Sequence, residues 1–135
     1  MEPASISSDS GHLLLSFRFD GDFYVAIDAA SHGYSGSADG HVAADNFNQF
    51  ASDLCVLEEK RKGSAVLSSV IPDVFEIRIE SLDNLGHLGA SGTLTDVISR
   101  NHHGHVVRLD FSFEFSPSVL AAFSNSVAAC LVGAG

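Results

Sequence analysis

One stretch constrains the fold more than any other, residues 105–131. Val107, Leu109, Phe111, Phe113 and Phe115 alternate with Val106, Arg108, Asp110, Ser112 and Glu114. This period of two predicts a long strand with one face buried and the other near water. Ser116-Pro117 then breaks the pattern. Serine caps helix starts, and proline suits a first helical position, where its missing N–H would be unpaired anyway. Leu120, Phe123, Val127, Cys130 and Leu131 follow at helical spacing. A half-buried strand turning directly into an amphipathic helix leaves two apolar faces that the rest of the chain must cover.

Residues 1–11 are small, polar and aperiodic and read as a loose tail, leaving residues 12–135 as one domain. Leu13, Leu15 and Phe17 predict a first strand, and Phe23, Val25, Ile27 and Ala29 a second. A three-residue loop, Phe19-Asp20-Gly21, keeps the apolar sets on one face by setting Phe17 against Phe23 and Leu15 against Val25. It also sets Leu13 against Ile27 and Arg18 against Asp22, with Gly21 at the left-handed position. Residues 31–42 are rich in Gly and Ser and read as a short, irregular, bulged strand. They have neither Gly-Lys-Ser/Thr nor G-x-G-x-x-G spacing, which argues against a phosphate loop.

Asp45 is the expected cap of a helix that buries Phe47, Phe50, Ala51, Leu54 and Leu57. Lys60, Arg61 and Lys62 suit the negative end of its dipole, and Gly63 is the expected left-handed stop. Residues 64–71 read as a strand, Pro72-Asp73 as a turn, and Phe75, Ile77 and Ile79 as the buried side of the next strand. Residues 86–99 form a weaker strand in which Gly89 and Gly92 imply a bulge or the close approach of another element. Residues 100–104 make a hairpin tip. Short turns favour antiparallel neighbours, so the fold class is α+β, a mostly antiparallel sheet of about six to seven strands with two helices packed on it. The sequence shows no internal repeat.

Seventeen acids against seven Lys and Arg give a formal net charge of −10. That argues against nucleic acid, whose phosphates need clustered cations, and fits a basic protein partner. Glu76, Glu80, Asp110 and Glu114 fall on the polar faces of two strands, and a sheet with helices on one side leaves the other face open. These four are the candidate partner-binding residues. Arg78 and Arg108 alternate with them, so cross-strand ion pairs are the competing explanation.

Other chemistry is weakly signalled. His103 and His105 share a strand face and can begin a metal site, completed by His41, His87 or a carboxylate. A small metal-binding protein or metal-dependent enzyme is therefore the alternative reading. No G-x-S-x-G elbow is present. Cys55 and Cys130 both fall on predicted helices and read as packed residues of a reducing compartment, although one bridge between the helices is geometrically possible. No signal peptide pattern and no apolar run of ~20 residues is visible, which predicts a cytoplasmic protein without a membrane partner. No cofactor is expected, and an exposed sheet edge leaves room for a homodimer.

Four stretches resemble the immunity proteins of bacterial polymorphic-toxin systems, the group related to the WapI immunity protein. They are Tyr34-Ser35-Gly36-Ser37 ahead of the first helix, and Phe50, Leu54 and Leu57 running into Gly63-Ser64-Ala65-Val66-Leu67. The others are Gly86-His87-Leu88 with Gly92-Thr93-Leu94, and Leu109-Asp110-Phe111 through Leu120, Phe123 and Leu131. The tryptophans common in such chains are absent. The resemblance implies a cytoplasmic, non-enzymatic protein that binds and neutralises a toxin domain. It carries over no contact residue.

Overall fold

The computed structural model describes residues 3–19, 21–71, 74–95 and 107–134. The elements are β1 (Ala4–Ser8), β2 (Gly11–Phe19), β3 (Phe23–Ser31), β4 (Tyr34–Val42), α1 (Ala44–Lys60), β5 (Ser64–Ser68), β6 (Phe75–Ser81), β7 (Leu88–Thr95), β8 (Arg108–Phe115) and α2 (Leu120–Ala134). The chain is thus a four-strand-plus-helix unit used twice. The strands form two antiparallel sheets, β1-β2-β3-β4 and β5-β6-β7-β8. The α+β class and antiparallel pairing hold, but the single sheet of six to seven strands is corrected to two sheets of four. Each set of four pairs only with its sequence neighbours, and α1 separates the two sets.

The first strand lies inside the segment read as a tail. Ala4 and Ile6 are fully buried, and β1 pairs with β2 from Ala4↔Leu15 to Ser8↔Gly11. Two apolar residues in a five-residue strand are too few for periodicity to reveal. The β2–β3 loop has three residues around Gly21, whose φ is +78°. It spans 20–22 rather than 19–21, so Phe17 faces Val25, Leu15 faces Ile27, and Arg18 faces Tyr24. A shift of two residues leaves every side chain on its predicted face. His32-Gly33, both at positive φ (53° and 89°), makes a two-residue turn into β4. β4 is nine residues long and pairs with β3 without a break, not the short, bulged strand expected.

The two sheets cross. β8 lies against all four strands of the first sheet, and β4 lies against β6, β7 and β8. A strand that touches every strand of another sheet runs across them, so the packing is wide-angled. Small residues permit it. A Cβ on Gly36 would stand 3.1 Å from Leu109, one on Gly40 3.4 Å from Phe75, and one on Gly11 2.4 Å from Phe113.

The helices are exchanged between the halves: α1 packs on β5 and β6, α2 on β1, and the two touch each other. Phe47 of α1 also reaches the first sheet, stacked on Phe23 at 4.4 Å and edge-on to Phe17 at 5.6 Å. The buried face of α1 is Phe47, Phe50, Ala51, Leu54 and Leu57, as the spacing predicts. Its ends differ from expectation. The N-cap is Ala43, with no side-chain bond, and Asp45 sits in the first turn. Arg61 takes the left-handed stop at φ 57°, its N–H donating to the Leu57 carbonyl. Ser116 and Pro117 start the second helical region as predicted, through a 3-10 turn at Pro117–Val119 in which Ser116 accepts from the Ser118 N–H. Among the described residues, no helix is long and apolar enough to cross a membrane.

Candidate functional site

Glu76, Glu80, Asp110 and Glu114 do share one face, the outer face of the second sheet. The register sets them in rows across β6, β7 and β8. Glu76, Thr93 and Asp110 form one row, Arg78, Ser91 and Ser112 the next, and Glu80, Gly89 and Glu114 the third. Alternation puts Ile77, Ile79, Ala90, Phe111 and Phe113 on the opposite, buried face. The four carboxylates occupy corners of a patch about 10 Å across the strands and about 13 Å along them, from ordinary strand spacing and rise. Glu76, Asp110 and Glu114 are exposed and Glu80 is half-buried. Arg78 stands half-buried at the centre of the patch.

The ion-pair explanation of this face fails for most of it. Among the described residues the ion pairs are Arg108 with Asp110, at 3.1 Å, and His87 with Asp83. Asp110 also accepts from the Thr93 hydroxyl at 2.8 Å. The Thr93 hydroxyl and the Arg108 guanidinium hold its carboxyl below the usual range. Glu76, Glu80 and Glu114 have no cationic partner among the described residues. Glu80 and Glu114 also share a depression of about 420 Å³ with Ser10 and His32, where turns of the first sheet meet β8. The face spreads charge over an area; it does not pair two carboxylates for acid–base work.

The remaining candidates disperse. His102, His103 and His105 lie outside the described residues. His41 packs edge-on against Tyr24 on the first sheet, and His87 is held by Asp83 in the β6–β7 turn. Among the described residues, no group of three His, Cys, Asp or Glu side chains is placed to hold a metal. Cys130 is buried, and burial pushes its thiol up. Cys55, read as packed, is exposed on α1, 3.9 Å from the Ser124 hydroxyl, and both thiols are free.

A second surface was not anticipated. A cleft of about 610 Å³ runs beside β4, lined by residues 35–39, Ala26, Ile27, Asp28, Leu94, Thr95, Val107 and Leu109. The sequence signal was present, since Ser35, Ser37 and Asp39 alternate with Gly36, Ala38 and Gly40 at period two. Glycine-rich composition masked it.

No family model matches the chain, and no curated protein matches it by sequence. Solved structures do resemble it. Trypanosoma bruciei MRP1/MRP2 aligns at a TM-score of 0.53 and 11% identity, over 92% of this chain and 75% of that one. Arabidopsis thaliana WHY1 aligns at 0.51 and 8% identity, over 96% and 88%. These likenesses concern the fold. They are not immunity proteins, and identities this low carry no site residue across.

Proposed function

We propose that this chain is a non-enzymatic protein-binding module that takes a cationic protein surface on the outer face of its second sheet. The observation that carries the reading is the placement of Glu76, Glu80, Asp110 and Glu114 on one open face. Three of them have no cation of their own among the described residues. Charge complementarity of this kind steers association and selects partners. The net charge of −10 acts in the same direction. The more particular reading, an immunity protein that neutralises a toxin domain in the cytoplasm, rests on the four stretches of sequence alone.

The test is capture from nuclease-treated lysate of the source cells, with the tagged wild type beside Glu76→Gln/Glu80→Gln/Glu114→Gln. Asp110 is left in place because Arg108 and Thr93 depend on it. One protein recovered by the wild type, released by high salt and at least tenfold depleted on the triple variant is the expected result. Equal recovery on both baits at every salt concentration contradicts the reading.

A further inference from the structure

Among the described residues, the outer edge of β4 is unpaired from Ser35 to Asp39, and its backbone direction follows from two separate contacts. The His41 carbonyl accepts from the Val70 N–H, outside the first sheet, at 2.8 Å. In an antiparallel strand the N–H and C=O of one residue point the same way, and the direction alternates along the strand. Ser35, Ser37 and Asp39 therefore point theirs away from β3 with His41. The two-residue turn agrees, because it makes Ser31 and Tyr34 a hydrogen-bonded pair and Ser35 the next outward residue. Among the described residues, no backbone group bonds to these three on that side.

The other edge strands each carry a contact from outside their own sheet. Asn46 of α1 donates to the Val66 carbonyl and accepts from the Ser68 N–H, closing β5. α2 lies on β1. The Ser112 carbonyl of β8 accepts from the Ser31 hydroxyl at 2.6 Å. Native edges that must stay unpaired carry lysine, proline, a bulge or very few residues. β4 has nine residues, no lysine, no proline and an unbroken register.

The cleft beside this edge has two walls of different character. Toward the core side stand Leu109 and Val107, the latter 63% exposed. Toward the outer side stand the exposed carboxylates Asp28 and Asp39. Among the described residues, no Lys or Arg lines it. A strand added to β4 would alternate its side chains between these walls, which calls for apolar and cationic residues in turn.

We propose that the β4 edge takes an extended cationic segment of a partner protein as a fifth strand, apolar side chains on Val107 and Leu109, and Lys or Arg beside Asp28 and Asp39. This rests on the protein-binding reading above and adds a second contact for the same cationic partner.

The probe is a fluorescein-labelled eight-residue peptide of alternating Lys and Val, titrated by polarisation into the full chain. Binding is expected to weaken at least tenfold when alternate residues of the peptide are N-methylated, and in Ser37→Pro, which removes an outward N–H. Asp28→Asn/Asp39→Asn should weaken it and flatten its salt dependence. The amides of Ser35, Ser37 and Asp39 should exchange more slowly in the complex. Absence of binding to the folded chain, or binding that ignores both N-methylation and the Asp variant, overturns the proposal. So does a concentration-dependent dimer abolished by Ser37→Pro, which would make a second copy the occupant. Peptide binding lost only in the Glu76/Glu80/Glu114 variant defeats the edge proposal and leaves the protein-binding reading standing. A bound peptide with no protein captured from lysate defeats that reading alone.

Discussion

At the scale of single residues, the Asp83–His87 turn is the best-defined electrostatic contact of the molecule. Asp83 accepts from the Leu85 and His87 N–H groups and from the His87 ring. The Asp83 carboxylate raises the His87 pKa above its ordinary 6.5, and the His87 ring, first among its partners, lowers that of Asp83. The sign of the linkage follows. The histidine's contribution to stability is complete below its unfolded pKa and is lost as pH rises through the folded one. The aspartate's is present above its unfolded pKa and is lost as pH falls through the folded one. An NMR titration should therefore place His87 above the ordinary value, and Asp83→Asn should bring it back down. An unshifted His87 in the wild type would contradict the contact. Thiol chemistry gives a second check. Ellman's reagent should titrate one cysteine in the native protein, the exposed Cys55, and two in denaturant, because Cys130 is buried with a raised pKa. Two fast thiols in the native state would mean that α2 does not pack as described.

At the scale of elements, Gly92 shows how β7 depends on a missing side chain. A Cβ there would lie 2.3 Å from the Glu76 carbonyl oxygen and 3.0 Å from the Phe111 ring. Backbone cannot yield as a flexible side chain does. Gly92→Ala should cost about 2 kcal/mol or more of stability, read from the midpoint of urea unfolding. A cost under about 0.5 kcal/mol, the ordinary effect of a surface change, would refute that account. The sequence reading foresaw a close approach or a bulge at this position. The register runs through it unbroken, so the approach is the reason for the glycine. Legibility followed periodicity throughout. The α1 face and the Phe111-Phe113-Phe115 strand were readable because burial there repeats regularly. β1 was not, since its two buried residues set no period. The ends of α1 were missed because Ala43 precedes it without a side-chain cap, and a backbone bond from Arg61 to Leu57 stops it where a glycine was expected.

At the scale of the whole molecule, the halves repeat in architecture and differ in residues. β4 carries Gly36, Ala38 and Gly40 where β8 carries Phe111, Phe113 and Phe115 along its buried side. Crossed sheets need one thin strand where the other is thick, so the two copies complement each other and no sequence repeat survives to be read. The acidic face was legible because both strands alternate cleanly. The crossing of the sheets was not, and with it the open β4 edge. Both surfaces carry carboxylates without an ion-pair partner among the described residues, and they differ in which residues a partner would cover. Carbodiimide footprinting of the captured complex, read by mass spectrometry, tests the central claim most directly. The account predicts that Glu76, Glu80 and Glu114 lose labelling on binding while Asp45 and Glu59 on α1 keep theirs. Undiminished labelling of the three glutamates, with protection on α1 instead, would contradict it.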